Sequence, residues 1–334
     1  MTRLSRREFV STTAGAAGAT LLSPFAEKVG SAPAIATRPF GKTGTEVTIA
    51  GLGGGSRFYL PVPDDEQGAE MARQAIDRGI RFIETAANYG PKDESERRIG
   101  MAMKTHRSKV FLETKIDARD YDSAMREMER SLQFLQTDQI DLMLHHNLID
   151  SGEIAKATAA NGAEKAIRKM VDQKVVRFRG FSCHSPQLTL EGIEKLEPEA
   201  IQIIVNATRV PDFETDVLPL TQKKGIAVVV MKSVGKGYFL RHNFTKPDRI
   251  DQYGPPADAF QHKDLPEAKD YIHYALSLPV STVVIGIDSM HTLEAVVRNI
   301  SGFKPLSVAE RKSIADRAQV FRTTGFWIPQ PKRA

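Results

Sequence analysis

The stretch Phe82–Gly100, FIETAANYGPKDESERRIG, decides how the chain is read. Phe82 and Ile83 are a short apolar run after Gly79, as at the end of a β-strand. Glu94–Gly100 opens a helix with paired charges. Between them stand a carboxylate, Glu84, and a phenol, Tyr89, at the C-terminal lip of the strand. In parallel α/β folds that lip carries the chemistry. A tyrosine ionises near pH ~10 in model peptides, so it exchanges a proton near neutrality only where a cation favours its phenolate. Two further strands offer partners. Val110–Lys115 (VFLETK) ends in a lysine, and Ile140–His146 (IDLMLHH) ends in two histidines.

Outward from this stretch, strands and helices alternate, which argues for a parallel α/β sheet. Arg38–Ile49 reads as a β-hairpin turning at Lys42-Thr43-Gly44, and Ala50–Gly55 as the first strand and its lip. Strands follow at Phe82–Glu84, Val110–Lys115, Ile140–His146, Val175–Ser182, Ala200–Val205, Ile226–Met231 and Ser281–Ile285. Helices are expected over Glu66–Arg78, Ser95–Lys104, Tyr121–Leu135, Glu153–Val171, from Ser185-Pro186 to about Leu196, Asp212–Lys224, Pro266–Leu278, Thr292–Asn299 and Val308–Phe321. The unbroken apolar run Ile226–Met231 suits a strand buried on both faces. Eight strands with their helices fit a (β/α)8 TIM barrel with an N-terminal β-hairpin. A doubly wound sheet would leave the hairpin and the strand-lip residues unexplained.

The order carboxylate-Thr-Ala-x-x-Tyr, then a strand ending Thr-Lys, then Asp-Leu-x-x-x-His, resembles the aldo-keto reductase superfamily. The resemblance implies a catalytic tetrad of Glu84, Tyr89, Lys115 and His146, with His146 lying five residues after Asp141. The first position departs from the family, which has Asp there. The resemblance also implies an NADP(H)- or NAD(H)-dependent interconversion of a carbonyl compound and its alcohol. Tyr89 then moves the proton, Lys115 paired to Glu84 lowers the Tyr89 pKa, and His146 orients the substrate.

The same resemblance assigns the cofactor contacts. Ser182 and Cys183 stand where the family holds the nicotinamide carboxamide with Ser-Asn, with His184 as an alternative donor. The bland reading of Cys183 is a small buried apolar residue. Gln202 and Asn206 repeat a family Gln-x-x-x-Asn. Met231 replaces a stacking tyrosine, and Lys232, Ser233 and Gly235 begin a loop along the pyrophosphate. After the last strand come Gly286 and Asp288, without the family's usual Lys and Arg for a 2′-phosphate unless Arg298 or Arg311 reaches in. Asp288 either repels a 2′-phosphate or caps the next helix, so NAD and NADP both stay open. The substrate pocket is expected in Arg57–Pro63, Asn147–Asn161 and the 235–262 loop, with Phe58, Tyr59, Tyr238, Phe239, His242 and Tyr253 as its aromatic residues.

Composition narrows the classes. The formal charge of +5 is small and includes Arg3, Arg6 and Arg7. No basic stripe with interleaved aromatics appears, so nucleic acid is not an expected partner. A single cysteine, Cys183, rules out an intramolecular disulfide and a cysteine-ligated iron–sulfur cluster. No metal is expected either: there is no HExxH, and adjacent histidines on one strand face opposite ways.

Ser5-Arg6-Arg7-Glu8-Phe9-Val10 resembles a twin-arginine export signal. The run Val10–Pro24 is too short and too weakly apolar for a stable membrane span. Ala34-Ile35-Ala36 offers small residues before a cleavage point. The expected division is therefore residues 1–36 as signal and 37–334 as barrel, with the twin-arginine translocase as partner during export and a periplasmic or extracytoplasmic mature protein. A chance Arg-Arg pair on a cytoplasmic enzyme is the alternative. A non-catalytic periplasmic binding protein on the same barrel is the alternative function.

Overall fold

The computed structural model describes residues 35–240 and 259–322. A two-stranded antiparallel hairpin, β1 (Thr37–Pro39) and β2 (Glu46–Thr48), precedes the barrel. Eight parallel strands follow. They are β3 (Ala50–Gly53), β4 (Phe82–Glu84), β5 (Phe111–Ile116), β6 (Ile140–Leu148), β7 (Val176–Cys183), β8 (Ala200–Ile204), β9 (Ala227–Met231) and β10 (Thr282–Gly286). They close in sequence order, β10 pairing with β3. The fold is a (β/α)8 barrel with an N-terminal hairpin, as the sequence predicts.

The helices among the described residues are α1 (Ser56–Tyr59), α2 (Asp65–Asp77), α3 (Glu94–His106), α4 (Tyr121–Phe134), α5 (Ser151–Thr158), α6 (Ala163–Asp172), α7 (Pro186–Leu196), α8 (Val217–Lys224), α9 (Ala268–Leu276), α10 (Met290–Ile300) and α11 (Val308–Ala318). Several start on a side-chain cap that satisfies an orphan N–H. Asp64, Asp120, Asp150, Ser185 and Ser289 each accept a hydrogen bond from the backbone three residues on. Asp288 is thus not the cap of α10; the cap is its neighbour Ser289.

Three predicted helices differ in extent. Glu153–Val171 is two helices, broken at Asn161-Gly162, where Gly162 sits so close to the Ala157 carbonyl that a Cβ would meet its oxygen at 2.2 Å. Asp212–Lys224 begins only at Val217, because Asp212 instead accepts from the backbone N–H groups of Glu214 and Thr215 in a turn. Pro266 lies outside α9, whose capping box is built by Glu267 and Asp270.

The barrel interior is sealed from below by aromatics. Phe40, in the hairpin turn, lies 4.8 Å from Phe111 and 6.2 Å from Phe82 by ring centroids. It is fully buried, a burial that stabilises by roughly 2 kcal/mol. Ile35 joins the core and the Ala36 carbonyl accepts from Ile49 N at 2.9 Å, so a chain starting at Thr37 would lose both contacts.

One buried acid sits between α3, β5 and α4. Glu96 is inaccessible to solvent and accepts from Thr114 Oγ1 at 2.6 Å, while its Oε2 has no hydrogen-bond partner. Burial pushes its carboxyl up from 4.5 to about 7. Because the folded value is raised, the native state holds the proton more tightly. The associated stability is full below the unfolded value and is lost as pH rises through the folded one. Thermal unfolding of wild type and Glu96→Gln at about pH 5 and pH 8 should therefore show a Tm difference that moves in the variant's favour as pH rises. A difference independent of pH would mean that Glu96 titrates normally.

Candidate active site

β4 ends in Glu84, which is 3% exposed and receives four donors. Its Oε1 takes a hydrogen bond from Lys115 Nζ, from the Tyr89 hydroxyl at 3.1 Å and from Gln202 Nε2 at 3.3 Å. Its Oε2 accepts from Gly54 N at 3.1 Å. Lys115, on β5, also donates to the Thr85 carbonyl at 2.7 Å and lies 3.3 Å from Glu113 Oε1. The ammonium is 1% exposed, so these oxygens replace its water.

Tyr89 stands on the loop after β4, which is pinned by bonds from Tyr89 N to the Ala86 carbonyl and from Ser95 N to the Tyr89 carbonyl. Its ring meets His146 edge-on at 5.6 Å, and Lys115 Nζ lies 5.1 Å from the ring centroid. His146 closes the group from β6. Its Nδ1 is 2.9 Å from Asp117 Oδ1, which places the proton on Nδ1 and leaves Nε2 for a ligand. The predicted tetrad residues therefore come together. The two adjacent histidines diverge as expected, for His145 is buried against Glu164 at 3.0 Å on the other face.

Lys115 acts on the Tyr89 pKa in the expected, lowering direction, but the net shift is upward. Burial, then the Glu84 charge, raise the phenol above its ordinary value, and Lys115 offsets them only in part. Tyr89 donates its proton to Glu84, whose side chain reaches the phenol and the ammonium together. At neutral pH the site holds a neutral phenol, a proton donor.

The tetrad faces a cavity of about 520 Å³. Ser182, Gln202, Met231, Lys232, Ser233, Gly286 and Asp288 line it, as do Tyr89 and His146. Cys183 does not. Its thiol points into the core toward the Leu148 carbonyl at 3.3 Å, and burial raises it. The strand alternates there, so Ser182 and its neighbour cannot both face the cavity. His184 lines the cavity instead and bonds Lys232 Nζ. Burial lowers both of these bases well below their ordinary values, with neighbouring cations adding to the effect. Gly235 is also outside the lining. It has φ +55°, and a Cβ there would meet the Phe239 ring at 2.6 Å, so it shapes the loop rather than contacting a ligand.

Sequence reading missed two residues and gave a third, Arg57, only as the start of the pocket segment Arg57–Pro63. Glu113 and Asp117 share the inward face of β5 and its extension with Lys115, a period-of-two signal that was available. Arg57 could not be placed from pattern. It donates to the Lys236 carbonyl at 2.9 Å and lies 4.0 Å from Asp288, across the cavity from α10. Neither Arg298 nor Arg311 lines the cavity; Arg311 instead bonds the Ser277 carbonyl. Of the expected pocket aromatics, Tyr59 lines the cavity, whereas Phe58 and Phe239 are core residues. His242 and Tyr253 lie outside the described residues.

Residues 51–316 match the profile of the aldo/keto reductase family. A "Probable aldo-keto reductase 1" from Glycine max is 27% identical over 213 residues, 60% of this chain and 59% of that protein. The chain thus spans less than two thirds of that relative's length. The holo form of an aldo-keto reductase from Bacillus halodurans superposes with a TM-score of 0.69 at 22% identity, over 86% of this chain and 97% of that one. An aldo/keto reductase from Klebsiella pneumoniae, solved with NADP and acetate, gives 0.63 at 22% identity, over 86% and 95%. With its closed barrel, its strand-lip tetrad and a match over most of its length, the chain belongs to the aldo/keto reductase family.

Proposed function

We propose that the protein is a nicotinamide-dependent oxidoreductase that interconverts a carbonyl compound and its alcohol, with Tyr89 as general acid and base. The observation that carries this is the one cavity that Tyr89, His146, Ser182 and Gln202 line together. The residues present suit the cofactor. Gln202 Oε1, Ser233 Oγ and Asn147 Oδ1 are buried polar atoms without a hydrogen-bond partner. Such atoms are costly unless a ligand satisfies them. Ser182 and Gln202 would hold a carboxamide, Met231 would pack on the ring, and Lys232 and Ser233 would meet the diphosphate. The bound nicotinamide supplies the hydride equivalent.

The chain's own residues do the rest. His146, held at Nδ1 by Asp117, turns Nε2 toward the substrate oxygen, where the neutral ring accepts from an alcohol hydroxyl and the imidazolium paired to Asp117 donates to a carbonyl oxygen. Tyr89 gives that oxygen its proton as charge builds there. Lys115 stabilises the phenolate left behind, and Glu84 holds Lys115 in place. The raised phenol stays protonated at neutral pH, the form that carbonyl reduction uses. The protein from its barrel start, assayed against aldehydes, ketones and sugars, should turn over, and Tyr89→Phe should lose about 100-fold or more in kcat. The variant should bind reduced nicotinamide nucleotide within about twofold of wild type. Binding by both proteins with no turnover by either would point to a ligand-binding role for the barrel.

Asp288 supports a reading in which the 2′-position is not selected for phosphate. It accepts from Thr292 and Ser289 and sits 4.0 Å from Arg57. Asp288→Asn removes a negative charge and frees Arg57. Fluorescence titration should then show NADPH affinity rising relative to NADH by roughly fivefold, about 1 kcal/mol. An unchanged ratio would place Asp288 away from the ribose. We also propose that the N-terminal Arg-Arg segment directs export of the folded protein, which fractionation of native cells tests; recovery in the cytoplasm alone contradicts it.

A further inference from the structure

One buried titratable group is unused by the scheme above. Glu113 is inaccessible to solvent on β5, two residues before Lys115, and its Cα pairs in register with Glu84 on β4. The strand period puts Glu113 and Lys115 on one inward face. Glu113 Oε1 lies 3.3 Å from Lys115 Nζ, and apart from this ion pair neither of its oxygens has a hydrogen-bond partner. Its register partner on β6 is Leu142, and the register pair Phe82 and Phe111 stands one layer below. A carboxyl in such apolar surroundings is costly to keep.

We propose that Glu113 is a positioning residue for the proton transfer at Tyr89. Its Oε1 stands 3.3 Å from the Lys115 ammonium, whose hydrogen bonds go to Glu84 and the Thr85 carbonyl, and through its own protonation it sets how strongly Lys115 favours the Tyr89 phenolate. This rests on the reading of Tyr89 as the acid and base. The groups that face Glu113 are Lys115 on its own strand, Glu84 on β4 and Tyr89 on the following loop. Lys232, after β9, acts across the cavity on Glu84 and Lys115.

With Glu113 protonated, Lys115 balances Glu84 and the cluster is neutral. With Glu113 ionised, two carboxylates face one ammonium, and a phenolate beside them is disfavoured. Burial moves the Glu113 carboxyl up to about 8, with Lys115 opposing. Its proton is therefore lost within a working pH range. Alcohol oxidation needs the phenolate as base, so it is restrained as pH rises. Carbonyl reduction needs the phenol proton, which is retained.

Infrared difference spectroscopy of wild type minus Glu113→Gln reads the group without cofactor or turnover. A protonated-carboxyl C=O band should be present at about pH 6 and fade with a midpoint at about 8. Absence of that band at every pH overturns the proposal, whatever the fate of the redox reading. Glu113→Asp should shift the band without abolishing it, and it serves if the glutamine variant does not fold. In turnover, Glu113→Gln should raise the ratio of oxidation to reduction kcat at about pH 9 by roughly tenfold, equivalent to one unit in the Tyr89 pKa, with KM for the carbonyl within about twofold. Glu113→Asp should restore the wild-type ratio. An unchanged ratio in Glu113→Gln reduces Glu113 to packing and overturns the positioning role.

Discussion

The site depends on one buried cation. Lys115 places an ammonium where almost no solvent reaches it, a position that costs several kcal/mol unless its N–H groups find oxygens. The barrel supplies Glu84 and the Thr85 carbonyl at the end of β4, with Glu113 on β5 adding an ion pair at 3.3 Å. Removing one partner of such a buried pair typically costs about 3–5 kcal/mol. The Glu84–Lys115 pair is thus an energetic requirement as well as a geometric one. The hairpin contributes at the opposite end, where Phe40 packs against Phe82 and Phe111.

A glutamate at position 84 changes how the charge is distributed. Its carboxylate accepts from Lys115, Tyr89, Gln202 and Gly54 N together. Accepting from the phenol strengthens the neutral form of Tyr89, so the group that should release a phenolate is held protonated. On the proposed reading, a carbonyl oxygen entering the cavity must compete with Glu84 for that proton. His146, fixed by Asp117, is the residue placed to help it do so.

Much of this was legible before any coordinates. Parallel strands buried on both faces read as apolar runs, and a polar residue ending such a run stands out. That contrast drew attention to Glu84, Lys115 and the two histidines, and the family resemblance chose His146 and joined Tyr89 to them. Where the contrast was weaker, reading failed. Glu113 and Asp117 looked like ordinary strand carboxylates, although alternation with Lys115 placed them on its face. At 182–184 a one-residue question of facing decided between Cys183 and His184, and the resemblance favoured the one that the pleat turns into the core. Arg57 is set by the direction of a long side chain, which no periodicity encodes. The break at Asn161-Gly162 was written in the sequence as a turn dipeptide but was outweighed by the helical spacing on either side.

The central claim is that hydride reaches a substrate carbon in this cavity while Tyr89 supplies the proton. The most direct measurement is transfer of label. Reduced nicotinamide dinucleotide carrying deuterium at C4 would be incubated with the protein and a reactive aldehyde, and the alcohol analysed by mass spectrometry. The account predicts deuterium on the carbinol carbon with wild type and almost no alcohol with Tyr89→Phe. Unlabelled alcohol, or equal labelled product from both proteins, would contradict it.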